Sequence, residues 1–236
     1  MLEKLVWESD FFNKQIYNIN FKKFSDKELI KINNLNFSLI TAKIDNRNLK
    51  KIEILKKFGF KMISKSSVYE KKNIGSKNAN YQIANLKNYN ELKFISKNIF
   101  TYSRIKDSYF GKDSQNKFYA HWIKKSINGK FDDCCIVTLN DRKKINGFVT
   151  LKIINDTLKI GLFGIPKQIQ SRGYGIKLLQ TVNHYKSINK IKKSIVTTQS
   201  DNLSAINVFL KDDYLFKEDF IFLYLKKNNK FLKKIY

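Results

Sequence analysis

At 236 residues the chain is long for one domain and short for two full ones, which leaves one large or two small units. Apolar residues make up 42% and aromatic residues 14%, enough for a packed core, so a disordered or fibrous chain is excluded. The net charge of +26 raises nucleic acid as a partner, but only four of the 46 basic residues are arginine (Arg47, Arg104, Arg142 and Arg172), and the lysines are spread along the whole length. The charge therefore reads as solvated faces, with a basic nucleic-acid-binding module as the minority alternative. Phosphorylated small molecules suit any such surface. No run of about 18 uncharged apolar residues is present, and the first residues lack a secretory apolar core, so a cytoplasmic protein is expected. Cys134 and Cys135 are adjacent in a strand-like run and point to opposite faces. Neither a disulfide framework nor a zinc spacing occurs, and with His121 and His184 as the only histidines no metal site is expected.

In chain order, Leu5 to Phe21 reads as strand, and Ser25 and Asp26 offer an N-cap for a helix carrying Leu29, Ile30 and Ile32. Phe37 to Ile44 is a β run. Asn48 caps a helix through Ile52, Ile54 and Leu55 that Gly59 closes, and Met62 to Tyr69 returns as strand. This alternation predicts a small α/β unit over residues 1–75. The polar stretch 73–80 is the boundary candidate. Asn88 then caps a helix through Leu92, Ile95 and Phe100, and after an irregular stretch (101–111) Ser114 caps a helix with Phe118, Trp122, Ile123 and Ile127 on one face. Cys134–Leu139, Ile145–Ile154 and Leu158–Ile165, separated by short polar turns, predict an antiparallel meander. A glycine-bearing loop, a helix from Tyr174 to about Ser187, a strand (Lys193–Thr198), an Asn202-capped helix (Leu203–Lys211) and two closing strands (Tyr214–Phe216, Phe220–Leu225) follow. The second unit is expected over 80–228, with a basic tail at 229–236.

The chemically informative segment is Gln170-Ser171-Arg172-Gly173-Tyr174-Gly175, between a strand and an apolar helix. Glycines at this spacing let backbone N–H groups approach a ligand, and the helix N-terminus favours an anion such as a pyrophosphate. It is not a Walker loop, because no Gly-Lys-Ser/Thr follows, and it is not a dinucleotide fingerprint, because a meander precedes it.

Gln-x-x-Gly-x-Gly after a strand, followed by helix, strand and an Asn202-led helix, resembles the GNAT superfamily of N-acetyltransferases. The resemblance implies the GNAT fold: an α/β (α+β) arrangement with a mixed, mostly antiparallel sheet flanked by helices, here with a smaller N-terminal subdomain. It also implies acetyl-CoA as co-substrate. Gln170, Gly173 and Gly175, with Ser171, Arg172 and Tyr174 in the same loop, would hold the coenzyme A pyrophosphate. Phe163, Gly164 and Ile165, on a strand that the family splays from its neighbour, would hold pantetheine, as would Asn202.

Further blocks resemble acetyltransferases of nucleotide-linked 4-amino-4,6-dideoxy sugars that serve surface-polysaccharide synthesis. They are Val6-Trp-Glu-Ser-Asp-Phe-Phe, Ala42-Lys-Ile, Lys57-Phe-Gly-Phe, Ser103-Arg104, Phe118-Tyr-Ala-His-Trp-Ile, Gly129-Lys-Phe-Asp and Thr197-Thr-Gln-Ser-Asp-Asn202. A nucleotide-sugar amine is the acceptor this implies; a protein α-amine, a polyamine or an antibiotic is the alternative, and a homodimer stays open. In a lysine-dominated chain an arginine is retained for its planar fork. Arg104, with neighbouring Tyr102, is therefore assigned to the acceptor's phosphate or sugar, with a solvated surface position as the alternative. One departure matters: Phe209 stands where the family usually has the tyrosine that protonates the leaving thiolate. Tyr214 is the nearby candidate, and the catalytic residue is otherwise open.

Overall fold

The computed structural model describes residues 2–21, 29, 32–72, 78–97 and 99–227. Its elements in chain order are β1 (Leu2–Lys4), α1 (Val6–Phe12), β2 (Ile16–Ile19), β3 (Leu39–Asp45), α2 (Leu49–Lys57), β4 (Lys61–Lys71), β5 (Gln82–Ile83), α3 (Tyr89–Ser96), α4 (Asp107–Phe110), α5 (Ser114–Ile127), β6 (Cys134–Leu139), β7 (Ile145–Ile154), β8 (Thr157–Gly164), α6 (Tyr174–Ile188), β9 (Lys193–Gln199), α7 (Leu203–Lys211) and β10 (Leu215–Lys226). They form two compact units, each discontinuous in sequence. One takes Met1–Ser66, Arg104–Lys112 and Asp219–Tyr236, and the other Ser67–Ser103 and Asp113–Glu218. The sequence reading placed a single division at 73–80. Residues 73–77, most of the helix expected after Ser25, and the tail at 229–236 lie outside the described residues.

In the first unit β3 lies between β2, which is parallel to it, and β10, which is antiparallel (Leu223 opposite Ala42, Lys226 opposite Leu39). Covered on both faces, β3 buries Leu39, Ile40, Ala42 and Ile44. The segment expected as one strand from Leu5 to Phe21 instead breaks into α1 and β2. Trp7 and Phe11 stack at i and i+4 with ring centroids 5.7 Å apart, a helical pairing that their strand propensity concealed. Asn13 closes the helix in a left-handed conformation (φ 49°), and the buried Ser9 hydroxyl accepts from the Ile16 amide and donates to its carbonyl. Helix α2 follows its sequence signals: Asn48 accepts from the Lys51 amide, and Gly59 (φ 106°) turns the chain into β4.

In the second unit the strand order is β9-β8-β7-β6-β5, antiparallel except for β8–β9. The expected meander is present. Cys134 and Cys135 are both buried and point into different apolar clusters, one with Leu158, Leu178, Leu179 and Val196, the other with Leu92, Ile123 and Phe148. Three local expectations shift. Asn85 rather than Asn88 does the capping: Asn85 accepts from the Lys87 amide while Asn88 accepts from the Asn85 amide, and Phe100 lies beyond the end of α3. Ser114 is the first helical residue of α5, not its cap; Asp113 (φ 59°) precedes it. The two expected closing strands are one, β10. Its charged middle forms ion pairs instead of a turn, Lys217 with Glu70 (2.9 Å) and Asp219 with Lys65 (2.7 Å).

Lys186 on α6 is fully buried and its ammonium has no hydrogen-bond partner among the described residues; nearby Lys71 takes Asp212 at 3.0 Å. Burial, helped by Lys71 and opposed by Asp212, lowers its pKa to about 8. Because the folded value lies below the unfolded one, protonation opposes folding at neutral pH, and stability rises as pH climbs from about 8 to 10.5. Lys186→Met should therefore stabilise the protein at pH 7 by roughly 2 kcal/mol and remove that part of the pH slope, read by urea unfolding of both forms from pH 7 to 10.

Candidate functional site

The site lies in the second unit, where two neighbouring strands part. β8 pairs in parallel with β9 from Thr157 opposite Lys193 to Ile160 opposite Val196, and no further. At the same point β8 bulges against β7: Val149 faces Phe163 and Leu151 faces Ile160, so Gly161 and Leu162 together oppose Thr150. A bulge bends its strand, and here it coincides with the loss of pairing to β9. The Thr150 hydroxyl accepts the Leu162 amide at 2.8 Å. Gly161 gives this crossing its room: a Cβ there would meet Thr150 Oγ1 at 2.6 Å and Asp132 Oδ2 at 2.8 Å. Asp132 is itself held by Trp122 Nε1 (2.6 Å) and Ser126 Oγ (3.0 Å). Gly161 to Gly164 thus present to the β9 side a backbone edge with no partner strand among the described residues.

The loop after β8 is tied at its base, where the Gln170 side-chain Nε2 donates to the Ile165 carbonyl at 2.9 Å. Ser171 (φ 62°) and Gly173 (φ 81°) both adopt left-handed conformations and turn the chain into α6. The first intrahelical bond runs from Lys177 N to Gly173 O, so the N–H groups of Tyr174, Gly175 and Ile176 have no intrahelical acceptor. The first turn has no acidic residue, and Arg172 and Lys177 beside it are exposed. Free N–H donors, the positive helix end and two cations make this an anion cradle.

The two loop glycines do different work. At Gly173 a Cβ would meet nothing within 4 Å, so the requirement there is conformational. At Gly175 a Cβ would sit 3.1 Å from Val208 Cγ1, so this glycine lets the start of α6 lie against α7. Asn202 caps α7, with Oδ1 accepting from Ala205 N and Nδ2 donating to Thr198 Oγ1 (3.1 Å). Phe163, Gly164, Ile165, the 170–175 loop and Asn202 therefore belong to one region of one unit. Sequence reading missed the Ser67–Ser200 hydroxyl pair (2.7 Å) just past the end of β9. Ser67 is 133 residues from its partner and carries no local signal.

Phe209 is buried among Tyr69, Phe163 and Tyr214, ring to ring. Tyr214 is 1% exposed, its hydroxyl shares a hydrogen bond with Ser194 Oγ (2.8 Å), and burial pushes its pKa upward. It is a core hydroxyl that already has a partner. Tyr102 is exposed. Arg104 belongs to the first unit, where its guanidinium pairs with Glu8, donates to Tyr224 Oη (2.8 Å) and lies over the Phe222 ring. The fork is thus satisfied by this chain's own groups. His121 is half-buried on α5, its pKa lowered by burial and by Lys125 and Lys124, and His184 packs against Tyr81. Among the described residues no His, Cys, Asp and Glu cluster could hold a metal ion, and no described helix is long and apolar enough to cross a membrane.

Residues 99–214 match the acetyltransferase (GNAT) family, and that region is a GNAT acetyltransferase domain. The chain has the GNAT fold, a mixed sheet flanked by helices, and is an acyl-CoA-dependent N-acetyltransferase. Over 216 residues it is 26% identical to the dTDP-fucosamine acetyltransferase of Escherichia coli O6:H1, covering 89% of this chain and 91% of that one. A GCN5-related N-acetyltransferase from Sphaerobacter thermophilus shares the fold with a TM-score of 0.58 at 10% identity; the match covers 80% of this chain and 59% of that protein. A conserved protein of unknown function from Staphylococcus epidermidis does so with a TM-score of 0.62 at 16% identity, over 90% of this chain and 84% of its own.

The packing role of Gly175 is directly testable. Gly175→Leu should lower stability by about 1–3 kcal/mol through overpacking against Val208, and adding Val208→Ala should restore part of the loss in a double-mutant cycle of unfolding free energies.

Proposed function

We propose that the protein transfers acetyl from acetyl-CoA to the amino group of a nucleotide-linked amino sugar, by direct attack of the amine on the thioester. The observation that carries this reading is the unpaired β8 edge lying next to the anion cradle at the start of α6. The free N–H groups of Tyr174, Gly175 and Ile176, with Arg172, suit the coenzyme A pyrophosphate, and the edge from Gly161 to Ile165 offers backbone donors and acceptors to the amides of pantetheine. When bound, acetyl-CoA supplies the activated acetyl group. The dTDP-fucosamine acetyltransferase of Escherichia coli supports the acceptor class, since the likeness extends along 89% of the chain, well beyond the family domain.

The reaction asks little of side chains. A neutral amine attacks, and positioning with backbone donors provides much of the acceleration. Phe209 has no proton for the leaving thiolate. An alkyl thiol with a pKa of about 8.5 leaves tolerably as the anion near neutrality, and the N-terminus of α7 contributes roughly 0.3–1 kcal/mol toward an anion beside it.

Calorimetry with acetyl-CoA followed by an acceptor screen read by thiol release tests the reading. Thiol release with nucleotide-linked amino sugars is the expected result; release only with a polyamine, a peptide α-amine or an aminoglycoside would reassign the acceptor.

Gly173→Val forces a β-branched residue to φ near 81° and places its side chain over the cradle. We expect acetyl-CoA affinity to fall at least about tenfold with the fold retained, read by calorimetry and circular dichroism. Turnover of the wild type should rise with pH as the acceptor amine deprotonates. Phe209→Tyr should raise kcat, up to the roughly 10²–10⁴-fold that a positioned general acid adds; an unchanged kcat would assign the proton to another group. Tyr214→Phe should cost about 1 kcal/mol of stability through the lost Ser194 bond and leave kcat unchanged, as stopped-flow thiol release would show.

A further inference from the structure

A cavity of about 550 Å³ opens in the first unit, lined by Lys56, Gly59, Phe60, Lys61, Ser108, Tyr109, Tyr224, Leu225 and Lys226. Its volume is in the range that holds a small ligand. Its chemistry is divided between charge and flat apolar surface. Three lysines stand at its exposed margin, and none of the nine lining residues is acidic. Lys226 donates to the Ser108 carbonyl at 2.8 Å, while Lys56 and Lys61 have no carboxylate partner among the described residues. Phe60 and Tyr224 are almost fully buried and form the floor beneath Tyr109, which stands edge-on to Tyr224 with centroids 5.3 Å apart and is the half-buried ring a ligand can reach. A ligand that satisfies both halves carries several negative charges close together and a planar ring.

We propose that this cavity binds a nucleoside diphosphate, with the diphosphate held by Lys56, Lys61 and Lys226 and the base against the half-buried Tyr109. The choice of a nucleoside diphosphate over other ring-bearing anions rests on the nucleotide-sugar reading above, and the place rests on the lining of the cavity itself. The assignment also gives Arg104 a role that its own contacts permit. Arg104 does not line the cavity, but its Nη1 donates to Tyr224 Oη and its Nη2 pairs with Glu8, so it fixes the tyrosine that forms the floor. Arg104 is thus a positioning residue, acting on the nucleotide through Tyr224.

The test is titration of thymidine diphosphate, and separately of inorganic pyrophosphate, into the full chain saturated with acetyl-CoA. The wild type should bind thymidine diphosphate without displacing acetyl-CoA. The triple variant Lys56→Glu, Lys61→Glu, Lys226→Glu changes exposed side chains only, so it should stay folded. It should lose at least about tenfold in affinity for both probes, with acetyl-CoA affinity unchanged. The variant with all three changed to Arg should retain binding. Tyr109→Ala should weaken thymidine diphosphate about fivefold or more and leave pyrophosphate unaffected, because only the former stacks. Arg104→Lys should weaken thymidine diphosphate, through the loss of the bond that holds Tyr224, and leave acetyl-CoA affinity unchanged. Three results would overturn the assignment: thymidine diphosphate competing with acetyl-CoA, binding that ignores the glutamate variant, or no binding at millimolar concentration. The nucleotide-sugar reading itself fails by a different result, the absence of thiol release with every nucleotide-linked amino sugar while acetyl-CoA still binds.

Discussion

The parting of β8 from β9 after Ile160 and Val196 is the constraint on which the rest of the site depends. A strand inside a sheet has both backbone edges occupied by its neighbours; to offer one to a ligand, it must lose a partner without unfolding. Here the loss is produced by the bulge at Gly161 and Leu162, which bends β8 while its other edge stays paired to β7 as far as Gly164. The bulge would leave an amide unpaired, and Thr150 Oγ1 takes it. It also needs a residue without a side chain at 161, because Asp132, Thr150 and Trp122 close in on that position. The buried Asp132 carboxylate, held by an indole N–H and a serine hydroxyl, forms the rigid backing behind the opened strand.

Charge acts at a second level. A chain at +26 repels itself and attracts anions without selectivity, so selectivity must come from where fixed donors and missing acids coincide. The start of α6 is one such place: N–H groups without acceptors, an acid-free first turn and flanking cations. The cavity of the first unit is another, with aromatic rings added to the lysines. Some cations are neutralised locally, as in the pairs of Lys71 with Asp212 and of Arg104 with Glu8, and many of the rest are exposed to solvent. Lys186 differs in being buried in the core with no hydrogen-bond partner for its ammonium among the described residues, and it opposes folding near neutral pH.

The sequence by itself determined the elements whose signals are local. Asn48 with Gly59, and Asn202 with the apolar face behind it, delimit helices because a cap and a left-handed glycine act within a few residues. The meander and the loop at 170–175 were legible because strand alternation and Gly-x-Gly spacing are short-range patterns. Residues 5–21 were misread because aromatic strand propensity outweighed a helical i, i+4 pairing that shows only once Trp7 stacks on Phe11. The two closing strands were misread as separate because a charged cluster looks like a turn until Glu70 and Lys65 are found beside it. Tertiary structure alone decided which glycine frees the backbone and which admits a neighbouring helix, and that Tyr214 spends its hydroxyl on Ser194. It alone committed the Arg104 fork to Glu8, 96 residues away, and to Tyr224, 120 residues away. The reason is the same in each case: these roles are set by atoms supplied from distant parts of the chain, and no pattern within a few residues encodes which distant side chain will arrive.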